Sequence, residues 1–232
     1  MSGATYQQRR DALETYFDRT ASDAWAKLTS DAPVSGVRAK VRAGRDQIRD
    51  TILEWLPGEL SNQTVLDAGC GAGQLAFAMA ERGASVEAVD LASTLLDIAA
   101  ERAPETVRER VKFRAGDMLD PDGAPVDRVV AMDSIIHYRP ADMTDMIAGL
   151  ASRARDQVIF TFAPRTPMLT ALWFAGKLFP KSDRSPAIVP VSEAGLRKRI
   201  AAHPGLHGWR VGRTLRVDRF FYISQAMELV RE

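Results

Sequence analysis

The stretch that most constrains this chain is TVLDAGCGAG, Thr64 to Gly73. Thr64, Val65 and Leu66 read as the end of a buried strand, and Asp67 closes it. Gly69, Gly71 and Gly73 then alternate with small residues ahead of an apolar helical run from Leu75 to Met79. A strand that turns into a helix through glycines lets a ligand reach the backbone without meeting a Cβ. It also aims helix N-terminal N–H groups at that ligand. The spacing is G-x-G-x-G, which differs from the dinucleotide pattern G-x-G-x-x-G, and no Gly-Lys-Ser/Thr follows to make a phosphate loop.

Downstream, strands and helices alternate, which predicts a parallel sheet. SVEAVD, Ser85 to Asp90, reads as a second strand ending in an acid. A third runs from Val111 to Asp117, and a fourth with its exit from Val126 to Tyr138. Val129 to Met132 is apolar without a break, as in a strand covered on both faces, and Asp133 and His137 stand at its C-terminal mouth. Open α/β sheets bind ligands at that end. A fifth buried strand covers Gln157 to Phe162, and Pro164 ends it. Ser192 is placed to cap a later helix. Trp209 to Val217 and Phe220 to Gln225 read as a closing antiparallel pair. The expectation is a Rossmann-like α/β fold with a seven-stranded, mostly parallel sheet.

Two segments stand outside that core. Residues 1–58 read as a helical arm or cap, with the α/β domain occupying 59–232. In the arm, Leu13, Tyr16 and Phe17 are spaced for one face of a first helix. Val37, Val41, Ile48, Ile52, Leu53 and Leu56 make the inner stripe of a second, and Pro57-Gly58 ends it. Arg38, Lys40, Arg42, Arg45 and Arg49 make the other face of that helix basic, either as a solvated face or as a dock for an acidic partner or anionic substrate. The second segment, 165–190, is an insertion after the fifth strand, rich in apolar side chains that include Leu172, Trp173 and Phe174. It reads as a packing helix, a lid over a flat apolar substrate, or a helix lying on a membrane surface; it is too short to span a bilayer.

A net charge of +1 argues against a nucleic-acid binder that works by bulk charge. Cys70 is the one cysteine, so neither an internal disulfide nor a cysteine metal cluster can form, and no metal site is expected. The N-terminal stretch carries no apolar signal core, so the expected location is cytoplasmic.

The motif Asp67-x-Gly69-x-Gly71-x-Gly73 resembles the first motif of the class I S-adenosylmethionine-dependent methyltransferases. Asp90 lies where such a nucleoside-binding fold puts the carboxylate that takes the ribose hydroxyls, and Gly116-Asp117-Met118 matches the family's adenine-edge motif. The resemblance implies S-adenosyl-L-methionine as cofactor, held by Asp67, Ala68, Gly69, Cys70, Gly71, Gly73, Asp90, Leu91, Asp117, Met118, Met132 and Asp133. Along nearly the whole chain, YFDRTASDAW, VLDAGCGAGQLA, MDSIIHY and RVDRFFYISQAMEL resemble the magnesium protoporphyrin IX O-methyltransferases of chlorophyll and bacteriochlorophyll synthesis. That resemblance implies methyl transfer to the C13 propionate carboxyl of magnesium protoporphyrin IX. By the same resemblance His137 and Tyr16 are the catalytic candidates, and Trp173, Phe174, Leu172 and Arg165 the candidates for binding the porphyrin. It further implies contact with the magnesium chelatase and a peripheral place on the photosynthetic membrane. Two rival readings stay open: a methyltransferase acting on another apolar molecule such as a quinone, and a non-catalytic module that binds tetrapyrrole.

Overall fold

The computed structural model describes residues 3–18, 36–120, 122–166, 169–170, 187–219 and 222–232. Helices α1 (Gly3–Tyr16) and α2 (Gly36–Trp55) come first. There follow β1 (Thr64–Ala68), α3 (Gln74–Glu81), β2 (Ser85–Asp90), α4 (Ser93–Arg102), β3 (Val111–Ala115), β4 (Val126–Ala131), α5 (Pro140–Arg153) and β5 (Ala154–Phe162). The chain closes with α6 (Glu193–Ala202), β6 (Trp209–Asp218) and β7 (Ile223–Arg231). The sheet has seven strands in the order β3-β2-β1-β4-β5-β7-β6. β1 pairs in parallel with β2 on one side and β4 on the other, and β7 runs antiparallel to both β5 and β6. The expected Rossmann-like sheet is therefore present.

Alternation along the strands sorts the core onto two faces. Leu66, Ala68, Val129, Ala131, Val158, Phe160 and Phe162 pack with Met143, Met146 and Ile147 of α5 and with Tyr6 and Leu13 of α1. Val65, Val130 and Ile159 point the other way, onto Ile48, Ile52 and Leu53 of α2 and Leu75, Ala76 and Met79 of α3. Both N-terminal helices thus share their buried side chains with the sheet. Ser192 caps α6, its hydroxyl accepting the Gly195 N–H. Among the described residues no helix is long and apolar enough to cross a membrane.

Several boundaries differ from expectation. The last strand is Ile223–Arg231, not Phe220 to Gln225. Its register is set by β5, with Phe162 opposite Gln225 and Gln157 opposite Val230. That register buries Glu228; Arg213 and Gln157 satisfy it there. β3 stops at Ala115 and β4 at Ala131, which frees the following residues to form the ligand-side loops. The apolar stripe of α2 begins later than its spacing suggests: Val37 is exposed, because the first turns of α2 project past the sheet, and burial starts at Gly44. Leu172, Trp173 and Phe174 lie outside the described residues, as does most of the 165–190 insertion.

Candidate active site

The chain reverses direction across the sheet between β1 and β4, the switch point where such folds hold ligands. A cleft with about 1070 Å³ of empty space, open mouth included, lies there. One end is built by β1 to β3. The glycine loop after β1 has Gly69 at φ +85 and Gly71 at φ +54, both left-handed. A Cβ on Gly69 would lie 2.3 Å from the Ser134 Cβ, so this glycine is where two ligand-side loops touch. A Cβ on Gly71 would meet nothing within 4 Å, and Gly71 lines the cleft: its missing side chain is room for a ligand.

Asp90 locks the loop in place. Its carboxylate accepts the Gly71 N–H at 2.8 Å and the Ala92 N–H at 2.9 Å. Burial pushes its pKa up. Asp67 is more extreme: burial, and then the charge on Asp90, push it up to about 7, while the Ala76 N–H bond pulls it back. Two buried carboxylates thus face one cleft and repel one another, which favours a ligand that brings positive charge and hydroxyl donors. Leu91, Leu95, Gly116 and Met118 complete this end as an apolar slot.

The other end is built by α1, α2 and the exit loop of β4. Leu13 and Phe17 line it from the arm, Arg45, Asp46 and Arg49 from α2, and Met132, Asp133, Ser134, His137 and Tyr138 from the loop. His137 is buried, with its ring centre 6.3 Å from that of Phe17. Tyr6 stacks on Tyr138 at 5.5 Å and so pins α1 over the loop.

Of the residues the sequence singles out, Asp67, Gly69, Cys70, Gly71, Asp90, Leu91, Met118, Met132, Asp133 and His137 line the cleft. Others take different places. Tyr16 is not in the lining; its ring meets the edge of Phe17 at 5.1 Å, and Phe17 fills the wall instead. The Asp117 carboxylate is turned onto α1, accepting from the Tyr6 hydroxyl at 2.6 Å, from the Leu119 N–H at 2.8 Å and from Arg10 at 3.5 Å. The Asp133 carboxylate is taken up by protein donors, Arg45 among them at 2.7 Å. Ala68 is core, and Gly73 abuts Phe77 and Ala99. Arg165 is exposed outside the cleft, its backbone N–H on the Val191 carbonyl. Ser134 and Tyr138 also line the cleft and are not singled out by the sequence, although both lie within the MDSIIHY exit; Phe17, Arg45 and Arg49, which the sequence marks only as a helix face and a basic face, line it too.

A family model described as magnesium-protoporphyrin IX methyltransferase C-terminus matches residues 131–231, and one described as methyltransferase domain matches 65–157. A magnesium-protoporphyrin O-methyltransferase of Rhodobacter capsulatus is 45% identical over 96% of this chain and 97% of its own. The chain belongs to this family. A magnesium protoporphyrin IX methyltransferase of Synechocystis PCC 6803, solved with bound SAH, matches with a TM-score of 0.85 at 32% identity, over 97% of this chain and 100% of that one. A ubiquinone biosynthesis O-methyltransferase of Leptothrix cholodnii is 38% identical, but over only 39% of this chain. The family relation covers nearly the whole chain, the quinone one well under half of it.

Proposed function

We propose that the protein transfers the methyl group of S-adenosylmethionine to a propionate carboxylate of magnesium protoporphyrin IX, the C13 propionate, giving the monomethyl ester. The observation that carries this is the 45% identity over nearly the full length of both chains. The cleft fits the cofactor on its own terms. Gly71 leaves room beside the loop, and Asp67, Ser134 and Tyr138 each bring to the lining a buried polar atom with no hydrogen-bond partner among the described residues. Native proteins rarely leave such atoms unmatched unless a ligand completes them.

When bound, S-adenosylmethionine supplies a methyl group on a cationic sulfur. The remaining work belongs to the chain. Asp90, with its oxygens each accepting one backbone N–H, keeps lone pairs for ribose hydroxyls. Leu91, Leu95 and Met118 take the base, and the charge of Asp67 and Asp90 favours a cationic ligand. A propionate is ionised near pH 7, so the nucleophile needs no strong base. Catalysis then rests on holding its oxygen in line with the methyl group and excluding water. Leu13 and Phe17 cover the acceptor end, and His137 orients the carboxylate through a ring N–H.

The basic face of α2 is the surface we assign to the chelatase, with Arg38 and Lys40 as its exposed cations. Arg45 belongs to the cleft rather than to that face, since it pairs with Asp133. The apolar 165–190 insertion is the segment we assign to a membrane surface. The reaction itself is tested with methyl-labelled S-adenosylmethionine and magnesium protoporphyrin IX. The expected product is a porphyrin monomethyl ester whose label leaves as methanol on alkaline hydrolysis. A label that survives hydrolysis, or no labelled porphyrin, would overturn the assignment.

A further inference from the structure

Asp133 sits just past β4 at φ +55, a backbone region uncommon for anything but glycine, so the surrounding structure must hold it there. What holds it is a ring of donors on a carboxylate that is 7% exposed. Arg45 Nη1 of α2 donates at 2.7 Å, and the Tyr222 hydroxyl, just before β7, lies 2.9 and 3.1 Å from the two oxygens. Thr161 Oγ1 of β5 donates at 3.1 Å and Ser224 Oγ of β7 at 3.3 Å. Thr161 Oγ1 also accepts the Asp133 N–H at 2.7 Å. A carboxylate offers about four lone-pair sites. Four side chains fill them, so Asp133 acts on the protein and not on the ligand.

The other half of this arrangement is on α2. A Cβ added to Gly44 would lie 2.4 Å from Tyr222 Cδ1, so the tyrosine ring rests against the helix backbone where only glycine leaves a seat. The next residue is Arg45, which reaches the same carboxylate as the Tyr222 hydroxyl. The glycine seats the ring and the arginine supplies the counter-charge, so two adjacent residues fix both the height and the rotation of α2. Burial and the neighbouring Asp133 push the Tyr222 pKa well up, which keeps its proton in place to donate.

The sheet order gives this arrangement a side. The glycine loop follows β1, Asp90 ends β2 and Met118 follows β3, while Asp133 follows β4 and Thr161 and Ser224 lie in β5 and β7, in the opposite half of the sheet. There α2 presents Arg45, Asp46 and Arg49 to the cleft, across from the exit loop that carries His137. We propose that Asp133, Tyr222 and the Gly44–Arg45 step form a positioning clamp that sets α2 as the acceptor wall of the cleft, governing acceptor binding separately from cofactor binding. This rests on the methyltransferase reading above.

Tyr222→Phe removes one donor and leaves the ring seated; Gly44→Ala unseats the ring and leaves every donor. Both are read by acceptor KM, by kcat and by calorimetric Kd for S-adenosylmethionine. Loss of one hydrogen bond, with Arg45, Thr161 and Ser224 still on the carboxylate, should raise acceptor KM in Tyr222→Phe roughly three- to tenfold, with the cofactor Kd within about twofold of wild type. If Gly44→Ala folds poorly, Tyr222→Phe still decides. In addition, Gly44→Ala/Tyr222→Ala should perform no worse than Tyr222→Ala alone, because the small side chain leaves the added methyl room. The clamp is overturned if wild type methylates the porphyrin and Tyr222→Phe leaves acceptor KM unchanged, or weakens cofactor binding in step with it. A wild type that binds S-adenosylmethionine but methylates no porphyrin overturns the functional reading, and the clamp's acceptor role falls with it.

Discussion

Replacing Asp67 with asparagine should flatten the pH dependence of stability of the ligand-free protein between about pH 4 and pH 7. A free aspartate titrates near ~3.9. In the fold, burial and the charge of Asp90 raise Asp67 to about 7. Between those values the folded form keeps a proton that the unfolded chain has released, so raising the pH favours unfolding. The contribution is full below the lower value and lost as the pH climbs through the upper one. At 1.36 kcal/mol per pH unit the loss is roughly 4 kcal/mol, a large share of a domain's ~5–15 kcal/mol. Asp90 shifts in the same direction. Asp127 and Glu193 are held below their usual range, by bonds from Thr64 and from Gln225 respectively, so their opposite slopes fall at lower pH. The asparagine keeps the bond from Ala76 but places an amide where the Asp67 Oδ2 has no partner among the described residues, costing about 1–3 kcal/mol at every pH. The slope is therefore the readout, not the offset. Urea unfolding from pH 5 to pH 8 should show wild type losing stability relative to Asp67→Asn as pH rises. Parallel curves would refute the buried, proton-bearing Asp67.

The two loop glycines should fail differently. Gly69→Ala meets Ser134 as well as an unfavourable φ and should cost stability by more than about 2 kcal/mol. Gly71→Ala carries only the left-handed penalty of about 1–2 kcal/mol, and its methyl takes ligand room, so thermal denaturation should show a modest loss while calorimetry shows at least about a tenfold weaker S-adenosylmethionine. At the acceptor end, His137→Phe should lower kcat by about a hundredfold, because the carboxylate loses its alignment with the methyl group. Tyr16→Phe should leave kcat within about twofold of wild type, since Phe17 and not Tyr16 lines the cleft; a large loss there would put the tyrosine back in the site.

The cofactor half was legible because its signals are local. The glycine loop and the acid closing β2 sit within one βαβ unit, so spacing alone predicts their meeting, and Asp67, Gly71 and Asp90 do converge on the cleft. The acceptor half depends on distant pairings. Nothing in the arginine spacing of α2 marks Arg45 as the one that meets Asp133, 88 residues away. Asp117 reads as a ligand acid from its Gly116-Asp117-Met118 motif, and nothing near it in sequence announces Tyr6, whose hydroxyl donates to its carboxylate from 111 residues away. Leu13, Tyr16 and Phe17 read as one face, and of these Leu13 and Phe17 line the cleft. β7 was misplaced because its buried Glu228 depends on a partner, Arg213, that only strand pairing supplies.

The proposed reaction requires one cleft to bring a cofactor end and a porphyrin-carboxylate end together. It is tested most directly by offering wild-type protein S-adenosylmethionine with magnesium protoporphyrin IX, metal-free protoporphyrin IX and a phenolic quinone precursor in parallel, and measuring ester or ether formation. The expected products are monomethyl ester from the magnesium porphyrin and no methylated quinone precursor. Methylation of the quinone precursor with none of the porphyrin, by protein that binds the cofactor normally, would contradict it.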